Sequence, residues 1–147
     1  MKRISMTAIA FALLACGAKA GATDSTSELI RRDAPKGITE AFYACIDKAG
    51  SADIEQAACL SQERERQDHR LNSTYQALLR KLNENQKKGL VDAERSWLKF
   101  QDKTSEFEGS IYGSNLVDNL QIEENELFSI CRRANELDEY SAIADGL

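Results

Sequence analysis

Between Asp68 and Asp102 the apolar residues fall three and four positions apart. Leu71, Tyr75, Leu78 and Leu82 form one stripe, as side chains sharing a helix face must. The polar run Asn83 to Gly89 interrupts it, and a polar stretch closing on glycine suits a helix stop and a chain reversal. A second stripe follows in Leu90, Ala93, Trp97, Phe100 and Thr104. Two facing stripes across a short polar turn predict an antiparallel helical hairpin with the rest of the chain packed on it.

Outside this segment the same period continues. Pro35 and Gly37 end an irregular stretch, and Ile38 to Ala49 reads as a first helix with Ile38, Phe42, Cys45 and Ile46 on one face, stopped by Gly50. Ser51 is placed to cap a second helix running to Glu84, with Asp53 and Glu55 in its first turn, where the helix dipole favours carboxylates. The charge run Gln62 to Asp68 reads as a solvated face of mixed sign. A third helix spans Lys88 to Glu108. The glycine- and serine-rich stretch Gly109 to Asn115 reads as a loop. The last helix, Leu116 to Tyr140, turns Val117, Leu120, Leu127, Phe128, Cys131 and Ala134 inward and Glu123, Glu124, Glu126, Arg132 and Arg133 outward. No stretch alternates with the period of a strand, so the fold class is all-α and bundle-like. Residues 38–141 form one domain with a modest core, and residues 142–147 are a fraying C-terminus.

The N-terminus changes the picture of location. Lys2 and Arg3, the apolar run Ile4 to Ala15 and the small-x-small triplet Ala18-Lys19-Ala20 make residues 1–20 a signal peptide. The apolar run falls short of the roughly 20 residues that span a bilayer. Leu13-Leu14-Ala15-Cys16 also resembles a lipobox, which would retain Cys16 as a lipidated N-terminus. Residues 21–37 are polar and aperiodic and read as a flexible linker. The product is periplasmic or secreted, either soluble or anchored through a lipid on Cys16.

Cleavage after residue 20 removes three basic residues and no acidic ones, taking the net charge from −5 to −8. An acidic chain of this kind excludes nucleic acid as a partner and suits a basic one. Catalytic chemistry finds no foothold. The single histidine, His69, lies in the charge run about 100° around the helix from its neighbour Asp68. Ligand spacing for a metal is absent, no glycine loop cradles phosphate, and no cofactor is implied. Glu106, Glu108, Glu123, Glu124 and Glu126 could furnish carboxylate pairs. A glycosidase needs two such groups about 5 to 9 Å apart in a cleft with one of them buried, and these lie in polar surroundings, so the chain reads as a non-enzyme.

The spaced residues Asp68, Leu71, Asn72 and Tyr75, followed by Glu94, Arg95, Trp97, Gln101 and Asp102, resemble the signature of the LprI-type lysozyme inhibitors over roughly residues 38 to 140. The resemblance implies a helical, exported protein that binds a lysozyme. Cys45 and Cys59 fit the same pattern and are expected to pair. An exported chain favours such a bridge, which closes a loop of about 15 residues and contributes about 3 kcal/mol. In the family a further cysteine follows the tryptophan segment and pairs with the position matching Cys131. Here Lys103-Thr104-Ser105 stands in its place, leaving Cys131 as a buried inert thiol or as half of an intermolecular bridge.

Asp68, Asn72, Arg95 and Asp102 read as an ion-pair and hydrogen-bond network that sets the register of the hairpin, with Tyr75 and Trp97 as core anchors. Recognition is expected in the 109–115 loop, through Ser110, Ile111, Tyr112 and Ser114. The favoured partner is a basic lysozyme whose cleft is blocked. The alternative is a periplasmic interaction or immunity-type protein without that inhibition. Intact mass spectrometry of the mature protein tests the processing: a chain beginning at Gly21 is expected from signal cleavage, and a lipid-bearing chain beginning at Cys16 supports the anchor instead.

Overall fold

A computed structural model describes residues 24–113 and 115–146 of the chain. The expected signal peptide with Cys16, the first residues of the expected linker, Ser114 and Leu147 lie outside the described residues. Five helices and no strand are present among the described residues: α1 (Thr26–Asp33), α2 (Glu40–Ala49), α3 (Asp53–Lys81), α4 (Glu84–Tyr112) and α5 (Leu116–Ala144). The all-α, bundle-like class holds. The three long helices have 29 residues each, or about 43 Å at the usual rise per residue.

Their pairing differs from the predicted hairpin. The close partner of α3 is α5, while α4 rests mainly on α5 and is not closely packed on α3. The reason lies in the stripes. On α3, Cys59, Leu60, Glu63, Gln67, Leu71 and Leu78 are buried along its length, and on α5 so are Leu127, Phe128, Ile130, Cys131, Arg133, Ala134 and Leu137. On α4 only Leu90 is buried. Trp97 is half-buried, whereas Ala93 and Phe100, expected on the same inward stripe, are exposed. Two full-length stripes exclude more water from each other than either does from a broken one.

The core has two centres. One joins Phe42, Tyr43 and Ile46 of α2 to Cys59 and Leu60 of α3 and to Leu127, Phe128 and Cys131 of α5. The other joins Leu71 and Leu78 of α3 to Leu90 of α4 and to Ile130, Ala134 and Leu137 of α5. The Cys45–Cys59 disulfide fastens α2 to the start of α3. Cys131 is a free, fully buried thiol whose Sγ donates to the Lys36 carbonyl at 3.2 Å. Burial raises its pKa, with Arg70 opposing. This is the inert thiol of the two readings.

Several local expectations change. The reversal after α3 occurs at Leu82–Asn83, because Asn83 caps α4 and Gln86 returns the bond to the Asn83 amide. Gly89 is therefore inside the helix. Ala52, not Ser51, is the N-cap of α3, without a side-chain bond. Residues 26–33, expected within a flexible linker, form α1, because Ser25 and Glu28 make a capping box. Arg31 then clamps Glu40 with two hydrogen bonds of 2.6 and 2.7 Å and lies over the Tyr43 ring. At the other end α5 continues through Ala144, past the expected fraying point, where Lys81 donates to Ser141 Oγ and pairs with Asp145.

The charge run is not wholly solvated, since Glu63 and Gln67 are buried. Glu63 accepts from the Thr39 amide at 3.0 Å and the Thr39 hydroxyl at 2.6 Å, and also from Arg66 and Gln67. It thus anchors the N-terminus of α2 onto α3. Gln67 also donates to the Gly37 carbonyl at 2.7 Å. Gly37 has φ +105°, and a Cβ there would come within 2.6 Å of the Arg70 guanidinium and 3.3 Å of Cys131 Sγ, so backbone freedom and close approach both require glycine.

Burial by itself would raise the Glu63 pKa, but hydrogen bonds from Thr39, Gln67 and Arg66 outweigh it and hold the carboxyl below its ordinary value. A carboxyl depressed in the folded state stabilises fully above its unfolded pKa of about 4.3, and that stability is lost as pH falls through the lower folded value. Glu63→Gln is expected to lower stability at pH 7 by roughly 1 to 3 kcal/mol and to flatten the loss of melting temperature below about pH 4.3, as followed by circular dichroism.

Candidate functional site

Because α4 stands away from α3, a groove of about 770 Å³ opens between them, with Ile130 and Glu126 of α5 at its base. The α3 wall carries Arg64, Asp68, Leu71, Asn72 and Tyr75, and the α4 wall carries Glu94, Arg95, Trp97, Leu98, Gln101 and Asp102. These include every residue of the signature read from the sequence. The structure therefore brings them together, but in a different role from the expected one.

The expected register-setting network across α3 and α4 is not what these residues form. Asn72 donates to the Asp68 carbonyl in its own helix, and Arg95 lies 3.8 Å from Asp92 in its own. Asp68 approaches only Arg64, at 4.0 Å, on α3. Asp102 has no hydrogen bond or ion pair among the described residues. Tyr75 and Trp97 are half-buried groove walls, with Leu71 alone of the signature fully in the core. Desolvation raises the Asp68 pKa, Arg64 opposes it and Glu126 adds to it. Charged residues that do not secure the fold are free to serve recognition.

The polar ties that place α4 run to α5. Arg133 donates to Glu94 at 2.8 and 3.0 Å and to Glu136 at 2.9 Å. The Ser129 hydroxyl donates to Gln101 at 2.8 Å, and the Asn125 amide donates to Glu108 at 3.1 Å. Arg133 was expected on the outer face of α5 but is buried, with its guanidinium 6.0 Å from the centre of the Trp97 ring. Burial would lower its pKa, and the bonds to Glu94 and Glu136 raise it overall. In the sequence, the pairing of Arg133 with a carboxylate 39 residues away leaves no local signal.

Beyond the groove, the expected 109–115 loop is largely helix. Residues 109–112 are the last turn of α4, and Gly113, with φ +112°, is its C-cap. Ser110 donates to the Phe107 carbonyl in the same helix, and Ser114 lies outside the described residues. Ile111 and Tyr112 are 60% and 43% exposed, and Phe107, Leu116 and Val117 beside them in sequence are 61%, 45% and 61% exposed. Val117 was expected to point inward. Phe100, Phe107 and Ile111, seven and four residues apart, share one face of α4. The sequence carried only part of the signal for this surface: Phe107 and Ile111 continue the Leu90–Trp97–Phe100 spacing by threes and fours, and it is the structure that leaves this end of the stripe exposed.

Of the five glutamates considered for hydrolysis, Glu106 and Glu126 line the groove, and each is bound to a cation, Lys103 and Arg64 respectively. Burial raises the Glu124 pKa, against a hydrogen bond from Gln121 and with Asp33 adding to the rise; Glu124 does not line the groove. His69 is exposed, and no group of metal-ligating side chains is found among the described residues. No described helix is long and apolar enough to cross a membrane.

Among family models, the one described as "Lysozyme inhibitor LprI" matches residues 45–137. The matched span runs from the first disulfide cysteine to Leu137 in the core and includes both walls and the base of the groove. No curated protein and no solved structure matches the chain.

The ion pair behind Trp97 sets the position of the α4 wall. Glu94→Ala leaves the Arg133 charge buried with one carboxylate and is expected to cost about 3 to 5 kcal/mol. The double replacement Glu94→Leu with Arg133→Met should recover most of that loss in urea unfolding, because no charge is then stranded.

Proposed function

The chain belongs to the LprI family of lysozyme inhibitors, which its match to the family model over residues 45–137 shows, and from that membership we propose that it inhibits a lysozyme by binding across the enzyme's active-site cleft. The observation that carries the mode of binding is the uncovered apolar end of the α4–α5 pair, where Phe107, Ile111, Tyr112, Leu116 and Val117 all face outward. Apolar side chains massed at one end of a helical frame mark a surface made to be covered by a partner. Ile111 and Tyr112 enter the cleft and Phe107 and Val117 pack at its lip. Ser110 and Ser114 flank this apolar pair in sequence and supply hydroxyls toward the catalytic carboxylates.

Electrostatics serves the approach. The chain carries a net charge of −5, and −8 once residues 1–20 are removed. Many vertebrate-type lysozymes are strongly basic, so opposite fields accelerate encounter while the apolar contact determines how long the complex lasts. Inhibition of this kind needs no turnover by the inhibitor. An exported location, soluble or lipid-anchored through Cys16, puts the protein where a lysozyme reaches the cell wall.

A cell-wall turbidity assay with a basic vertebrate-type lysozyme tests the proposal. Wild-type protein is expected to slow clearing with a stoichiometric end point, and the association rate should fall as salt rises. Replacing Ile111 and Tyr112 together by alanine is expected to weaken inhibition at least about 30-fold, as loss of a central contact does, without moving the melting temperature. No protection by the wild-type protein at any stoichiometry refutes lysozyme inhibition. Full inhibition by the double variant refutes this binding surface.

A further inference from the structure

The groove between α3 and α4 is left unexplained by cleft blocking through the α4–α5 end. We propose that it is a second docking point, which takes an arginine or lysine side chain presented by the same lysozyme and seats it against Trp97 and Tyr75, between Asp68 and Asp102. This rests on the reading of the partner as a basic lysozyme.

Charge selects the occupant. Five carboxylates line the groove against two guanidinium groups. Three of those carboxylates are already bound, Glu94 by Arg133, Glu106 by Lys103 and Glu126 by Arg64. That leaves Asp68 and Asp102 on opposite walls. Asp68 is shared only at 4.0 Å with an Arg64 that Glu126 already holds. Of the two cations, Arg64 is shared between Glu126 and Asp68, and Arg95 leans toward Asp92, which does not line the groove, so the lining keeps more carboxylates than guanidinium groups. Two carboxylates on opposite walls of one open groove favour a cation between them.

The aromatic walls act in the same direction. Trp97 already attracts a guanidinium, that of Arg133, at 6.0 Å from its ring centre, and a tryptophan face is the best of the aromatic faces for a cation. The indole N–H and the Tyr75 hydroxyl have no hydrogen-bond partner among the described residues, and a peptide backbone carrying the basic side chain can satisfy both. A neutral wall saccharide could stack on the same rings and hydrogen-bond to the carboxylates, but it brings no charge to offset their excess. The groove is wide enough, at about 770 Å³, for a side chain together with the segment that bears it.

Trp97 is the only tryptophan in the chain, so its fluorescence reports the groove directly. Titration of the mature protein with tetra-arginine amide, which contains no tryptophan, is expected to change the emission saturably and more weakly as salt rises. Asp68→Asn with Asp102→Asn should reduce the affinity at least about ten-fold with an unchanged circular dichroism spectrum, and should weaken lysozyme inhibition while Ile111 and Tyr112 remain intact. A response to chitotetraose in place of tetra-arginine overturns the proposal in favour of a saccharide site. Unchanged affinity in the double aspartate variant also overturns it. If wild-type protein binds tetra-arginine but inhibits no lysozyme, the groove stands as a cation site and the assignment of its partner fails. If it inhibits lysozyme and the groove stays silent, only the second docking point fails.

Discussion

The pairing of α3 with α5 is the contact on which the rest of the molecule depends. Each of these helices buries a stripe along most of its length, and between them they contribute to both core centres. Once α3 and α5 are zipped together, α2 has one end of the pair to cover and α4 the other. Polar cross-links follow the same seam: Arg64 reaches Glu126, Arg70 reaches Asn135 and Asp138, and Thr74 reaches Asp138. Most of these are exposed and secure alignment more than stability. The apolar seam supplies the driving force.

The position of α4 is a consequence. It is joined by tight turns to α3 before it and α5 after it, and it has the same length as both, so it must lie alongside them. With only Leu90 buried, however, it has too little apolar surface on one face to close against both. It therefore leans on α5 through Glu94–Arg133, Gln101–Ser129 and Glu108–Asn125, and the space on its other side remains open as the groove. The apolar residues that a tightly packed helix would have buried, among them Leu98, Phe100, Phe107 and Ile111, stay at the surface. In a family of lysozyme inhibitors, a helix that withholds its apolar residues from the core and presents them at the end of a rigid frame is suited to protein recognition.

Buried polar groups fix what hydrophobic packing leaves loose. Glu63 satisfies the first turn of α2 through Thr39, and Gln67 and the Cys131 thiol take up the Gly37 and Lys36 carbonyls. Together they pin the Pro35–Gly37 bend onto α3 and α5. These bonds add to the apolar contact that Phe42, Tyr43 and Ile46 of α2 make with α3 and α5, and the Cys45–Cys59 bridge limits how far α2 can leave α3 in the unfolded chain.

Much was legible from residues alone. The four helices after α1 and the Gly50 stop follow from local spacing and residue type, the signature residues and the Cys45–Cys59 pair came with the family resemblance, and burial decided between the two readings of Cys131. The capping box at Ser25 and Glu28 is equally local, but the polar composition of residues 21–37 masks it. What the chain's order could not convey was which stripe meets which. Periodicity tells that Leu71, Tyr75 and Leu78 share a face, because helix geometry is set within a few residues. It does not tell that this face meets Ile130 and Leu137 more closely than Trp97, because that choice compares the water-excluding surface of whole helices far apart in sequence. For the same reason Asp68, Asn72, Arg95 and Asp102 could be identified by sequence but not assigned a role. Only the tertiary arrangement, by keeping α4 off α3, made them the walls of a groove.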